Sequence, residues 1–176
     1  MKDLDSIQYE LLPYDTHPDL PFRIVAQARQ KQGILSLNYR ILGDTSAILW
    51  PKAAPFGRGN NLWQHTCLEC FLADAENTAY WEYNFSPAGV WDVYFFSDYR
   101  RPQAVANLQA PQLEFREREK LLRVRMTLPP ALANTQLRLG LSAVMEDRQG
   151  QLFYYALKHT QDRPDFHQRD SFILML

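Results

Sequence analysis

Apolar side chains recur at every second position along most of this chain, a period that admits β-strands and excludes long amphipathic helices. Phe22, Ile24, Ala26 and Ala28 fall on one face of their stretch, with Arg23, Gln27 and Arg29 on the other. Leu35, Leu37, Tyr39 and Ile41 repeat the pattern, and the intervening Gln30-Lys31-Gln32-Gly33 suits a hairpin turn. A second hairpin spans Leu113 to Leu128. There Leu113 and Phe115 lead into a charged turn, and Leu122, Val124, Met126 and Leu128 alternate with Arg123 and Arg125 beyond it. Leu137, Leu139, Leu141, Ala143 and Met145 keep the period, residues 147–150 turn the chain, and Leu152 to Leu157 returns. The closing Ser171 to Leu176 reads as a buried strand, and helical stripes are confined to short turns near residues 103–108 and 129–134. Many short strands divided by turn signals predict an all-β fold, an antiparallel two-sheet β-sandwich of jelly-roll or immunoglobulin-like appearance.

Length and charge narrow the function classes. A chain of 176 residues predicts one domain, 1–176, large enough to bury a core without disulfides or metal. With 46% hydrophobic and 22% charged residues it has a globular composition. The net charge of −1 offers no overall field for nucleic acid or anionic membrane, so neither is an expected partner. The first 20 residues alternate acids with apolar groups and lack the basic and apolar regions of a secretory signal, which predicts a cytoplasmic location. No apolar run approaches the roughly 20 residues that span a bilayer as a helix.

Chemistry concentrates between Leu62 and Arg100, where three of the four tryptophans surround Glu69, Glu82 and Asn84. Cys67 to Ala73 reads as a strand, Ala79 to Phe85 as the next, Ser86-Pro87-Ala88-Gly89 as a turn, and Val90 to Ser97 as the return. Trp81, Tyr83 and Phe85 share one face of the middle strand and read as core. Tyr80, Glu82 and Asn84 share the other, where polar groups are costly to bury without partners. Glu69 lies with Cys67 and Phe71, opposite Leu68, Cys70 and Leu72. The Gly-, Pro- and Asn-rich loop from Pro51 to Asn61 feeds into Trp63 and is placed to line a binding edge.

These residues carry a family resemblance. Trp63 six positions before Glu69, followed by Tyr80, Glu82, Asn84, Pro87, Gly89 and Trp91, resembles the DOMON-like superfamily and, within it, family nine carbohydrate-binding modules and their bacterial relatives. The likeness covers about forty residues. It implies a β-sandwich that binds sugars in a slot between two tryptophans, with a carboxylate and amides holding the hydroxyls. It makes Trp63 one stacking wall and Glu69 the hydroxyl acceptor. No Trp follows residue 91, so the late segment supplies Phe166, His159 and His167 in place of the second wall. The candidate binding residues are thus Trp63, Glu69, Tyr80, Glu82 and Asn84, joined by Arg100, His159 and Phe166. The expected function is non-catalytic binding of a saccharide or similar small polar ligand without a cofactor, and the alternative is a protein-interaction module of the same fold.

Other constellations are weighed beside this one. Cys67 and Cys70 sit three apart on a strand and point to opposite faces, so they are expected as structural thiols. Glu69 and Glu82 are the residue types of a glycosidase, whose two carboxyls stand roughly 5 to 10 Å apart. In the bland reading Trp63 is core and Glu69 meets Arg100. His159, Asp165 and His167 are metal-ligand types at spacings that fit no strong template, and His17 and His65 are isolated. The superfamily resemblance also raises a b-type haem, with Met145, Lys158 or His159 as axial ligands. No nucleophile elbow and no phosphate-binding glycine loop occurs.

Overall fold

The computed structural model describes residues 7–15, 21–104 and 108–176. His17 and part of the turn expected at 103–108 lie outside them. The described residues form thirteen strands: β1 (Tyr9–Pro13), β2 (Phe22–Lys31), β3 (Ile34–Gly43), β4 (Gly57–Arg58), β5 (Cys67–Asp74), β6 (Tyr80–Phe85), β7 (Val90–Phe96), β8 (Pro102–Gln103), β9 (Gln112–Arg116), β10 (Leu121–Thr127), β11 (Leu137–Glu146), β12 (Leu152–Ala156) and β13 (Leu174–Met175). Of these, β1, β4 and β8 were not expected from the alternation. The only helical segments among the described residues are 3₁₀ turns of three residues each, including Pro130–Leu132 where a short turn was expected.

The strands pair in the order β4-β7-β6-β5-β11-β12-β1-β2-β3-β10-β9, with β8 beside β7 and β13 beside β11. All pairings are antiparallel except that of β4 with β7. Where the alternation predicts two separate sheets, hydrogen bonding instead runs continuously through β1. Tyr9 to Leu11 pair with β2, whereas Leu12 and Pro13 pair with β12, so the result is one curled mixed sheet. Alternation reveals which face of a strand is buried. It carries no information about which edges pair, and here β1 uses both of its edges.

The curl brings the inner face of β2, β3 and β10 against that of β5, β6 and β11. Leu35, Leu37, Tyr39, Leu122 and Val124 meet Leu68, Cys70, Leu72, Tyr83, Phe85 and Leu141 in one apolar core. Each such side chain contributes about 1.5–3 kcal/mol of transfer free energy. Cys70 lies in this core, while Cys67 faces outward beside Asn84. Both are free and buried, and burial pushes both thiols up in pKa. The β2–β3 hairpin turns at Gln32 and Gly33, both with positive φ, as two-residue hairpin loops require. The expected closing strand shrinks to Leu174 and Met175 against β11. Residues 169–171 form a 3₁₀ turn instead, and Ile173 is exposed.

Candidate functional site

A second apolar layer forms on the outer face of β5, β6, β7 and β11. The cross-strand register aligns Glu69 with Asn84 and Ser142, Phe71 with Glu82 and Gly140, and Glu82 with Tyr94. Glu69 and Glu82 are therefore diagonal neighbours on adjacent strands, pointing the same way, a relation that leaves long side chains within reach of each other. The chain after β12 folds back over this face and buries Phe172 against Phe71 and Tyr80. Between the sheet and this returning segment opens a cavity of about 700 Å³. Glu69, Glu82, Phe71, Phe96 and Tyr94 line it from the sheet side, Phe166, His167, Pro164 and Arg163 from the returning segment, and Trp63 and Arg100 from flanking loops.

The floor is polar, buried and short of positive charge. Glu69 is 2% exposed and accepts a hydrogen bond from the Ser142 hydroxyl at 2.9 Å. Glu82 is 5% exposed and accepts from the Asn84 amide at 2.7 Å. Burial, then repulsion from Glu82, raises the Glu69 pKa well above the carboxylate range, with Ser142 opposing. Burial likewise raises Glu82, with Asn84 and Arg100 opposing. Two carboxylates packed this closely do not both ionise readily, so the pair retains a proton near neutral pH. His167 stands beside them with Nε2 3.6 Å from Glu82 and Nδ1 2.9 Å from the Tyr80 hydroxyl. Burial and then Arg100 lower its pKa to about 4, so the imidazole is neutral. The Tyr80 oxygen also accepts the Arg100 backbone N–H at 3.1 Å, and burial pushes this phenol up to about 12. A neutral His167 receiving the Tyr80 proton at Nδ1 keeps its own proton on Nε2, directed at Glu82.

The rim is held by a separate ion pair. Asp165 accepts from Arg100 at 3.0 Å, from the Tyr99 hydroxyl at 2.6 Å, and from the Gln168 amide and the His167 N–H. Burial alone would raise the Asp165 pKa, but these partners bring it below the ordinary value. Arg100 is therefore paired with Asp165, where the bland reading paired it with Glu69. The same bonds anchor the returning segment that carries Phe166 and His167.

The expected residues sort into three positions. Trp63, Glu69, Glu82, Arg100 and Phe166 line the cavity. Trp63 is 45% exposed in a 3₁₀ turn, which removes the core reading for this tryptophan. Tyr80 and Asn84 are buried one layer behind, holding His167 and Glu82. His159 does not line the cavity. It bonds the Leu12 carbonyl at 2.8 Å and packs edge-on to Tyr14 behind Phe166, because the chain leaves β12 beside β1 before crossing to the site. Among the described residues no group of three or more His, Cys, Asp or Glu side chains is placed to hold a metal ion. The haem candidates do not converge either: Met145 is buried in the inner core, and Lys158 is exposed.

Neither a family model nor a curated protein sequence matches the chain. A solved structure does. The chain superimposes on a candidate carbohydrate-binding protein from Bacteroides uniformis ATCC 8492 with a TM-score of 0.70 at 14% identity, over 96% of this chain and 84% of that one. At this identity the likeness is one of fold, and it extends over nearly the whole of the chain.

Phe71, Tyr94, Phe96, Tyr154 and Arg163 line the cavity without having been singled out in the sequence. Phe71 shares the strand face of Glu69 at i+2, and Tyr94 follows once β6 and β7 are aligned about their turn, so both carry a readable signal. Arg163 carries none, because the segment that brings the far wall over the sheet has no periodicity, and Tyr154 lies on the expected strand β12, whose place beside the site depends on strand pairing that alternation does not encode.

Proposed function

We propose that this chain is a non-catalytic binding domain for a saccharide or similar small polar ligand, of the DOMON-like kind. The observation that carries the reading is the composition of the cavity. An exposed indole and further aromatic faces stand around a buried carboxyl pair, in a space the size of a small-molecule site. An aromatic plane covers the apolar C–H face of a pyranose, while Glu69 and Glu82, sharing a proton, both accept and donate hydrogen bonds to its hydroxyls. The Trp63-to-Trp91 motif and the fold shared with the Bacteroides uniformis protein support the same ligand class. A concave, polar-floored cavity fits a small ligand better than the flat apolar patch of a protein-interaction module.

Glu69 and Glu82 rise from one face of one sheet, on the same side of any occupant, whereas glycoside cleavage sets an acid and its partner across the scissile bond. No turnover of chromogenic glycosides is expected.

The test is titration calorimetry against a panel of monosaccharides and disaccharides with wild type and Trp63→Ala. Because Trp63 is exposed, its loss leaves the fold intact, and binding is expected to weaken at least about tenfold, as for an aromatic anchor. Tight binding that survives the substitution would remove the reading.

A further inference from the structure

We infer that the preferred ligand carries an ammonium group, making it an amino sugar with a free amine. The inference rests on the saccharide reading and assigns the charge of its ligand. Glu69 and Glu82 are both more than nine-tenths buried, both line the cavity, and among the described residues neither is paired with an arginine or lysine. Buried carboxylates are ordinarily matched by a cation, since desolvating an unpaired charge is expensive.

The neighbouring charges leave that place open. From β7, Asp92 is already engaged by Arg58, whose Nε donates at 3.0 Å. Tyr94 on the same strand is a phenol pushed up to about 12 by burial and Asp92, and so stays neutral. From the returning segment, His167 lies 3.6 Å from Glu82 and is neutral, so it supplies a hydrogen-bond donor and no charge. Arg100 is bonded to Asp165 at 3.0 Å and acts on Glu82 only through space, and Arg163 lines the cavity from the returning segment, well exposed to solvent.

The rest of the lining suits an organic cation. Trp63, Phe71, Tyr94, Phe96, Tyr154 and Phe166 present aromatic faces and edges around the acidic floor, the arrangement by which ammonium groups are recognised. An ammonium group entering beside Glu69 and Glu82 favours their ionised forms. The proton held by the pair passes to the buffer, and the amine nitrogen donates charge-assisted hydrogen bonds to the carboxylate oxygens.

The experiment is calorimetry of the full chain at neutral pH and low salt with D-glucosamine and D-galactosamine, each against its parent hexose and its N-acetyl derivative, and with D-galacturonate. The amines are expected to bind about tenfold more tightly than the hexoses and acetylated forms. Their binding heat should change with the ionisation enthalpy of the buffer in the sense of proton release, a readout that needs no variant. In Glu69→Gln/Glu82→Gln the amine should lose its advantage, the ratio of amine to parent-hexose affinity falling from about ten to about one. Parent hexoses binding as tightly as amines, or no proton release, would overturn the inference and leave the saccharide reading standing. Galacturonate binding tightest would also overturn it, in favour of recognition by Arg163. Failure of every sugar would overturn both.

Discussion

An ionised Glu69 or Glu82 gives up its hydration on folding with no lysine or arginine bonded to it among the described residues, and this shapes the stability of the protein as well as its binding. Both carboxyls are harder to ionise in the folded chain than in the unfolded one. Their contribution to stability is therefore full below the ordinary carboxylate range and is lost as pH rises through their elevated values. His167 acts on the other limb. Its folded pKa drops from 6.5 to about 4, so the stability it allows is present above 6.5 and is lost as pH falls toward 4. Between the ordinary carboxylate range and neutrality two carboxyls outweigh one imidazole, so melting temperature without ligand should decline as pH rises toward neutral, and decline on the acid side only as pH falls toward 4. Glu69→Gln/Glu82→Gln should flatten the alkaline decline and His167→Gln the acid one, and an alkaline limb unchanged in the double variant would refute this assignment. Tyr39 tests the layer beneath, since its buried hydroxyl donates to the Glu69 carbonyl at 2.7 Å. Tyr39→Phe removes this hydrogen bond and should lower unfolding free energy by about 0.5–1.5 kcal/mol in urea titrations.

Two glycines show how elements position the site. At Gly140 on β11 a Cβ would stand 2.8 Å from the Phe172 ring, so the bare backbone lets Phe172 lie against the sheet and anchor the returning segment. Gly140→Ala should weaken ligand binding and lower the melting temperature together, because it displaces the far wall of the cavity. At Gly43, where φ is +114° and a Cβ would meet the Pro21 carbonyl at 2.2 Å, an Ala substitution should destabilise without a selective effect on binding. Both outcomes are read from thermal melts paired with calorimetry. The Gln32-Gly33 turn and the strands around it were legible in the sequence, because turn chemistry and alternation are local. Gly140 was not, since the atom that excludes its side chain comes from a residue 32 positions away. The outer face of β6 was legible only by half. Tyr80, Glu82 and Asn84 alternate as a solvated face would, yet they are buried, because the aperiodic segment before β13 covers them.

Over the whole molecule, β1 decides that the sheet is continuous. Leu11, 1% exposed in this five-residue strand, packs in the core where the two halves of the sheet meet. Leu11→Ala should cost about 2–5 kcal/mol, more than its position near the chain start would imply, and can be measured by chemical unfolding. The all-β class followed from alternation, though the single curled sheet did not, and the motif from Trp63 to Trp91 contains three of the lining residues, Trp63, Glu69 and Glu82. The far wall and the role of Asp165 in holding it arise only from tertiary packing. The central claim, a saccharide in the aromatic cavity with the carboxyl floor, is tested most directly by ¹⁵N NMR titration with the tightest-binding sugar of the panel. The account predicts shifts concentrated at the Trp63 indole N–H and at the amides of Phe71, Tyr94, Phe166 and His167. Shifts centred instead on Asn38 and Arg123, which line a small depression on the opposite half of the sheet, would contradict it.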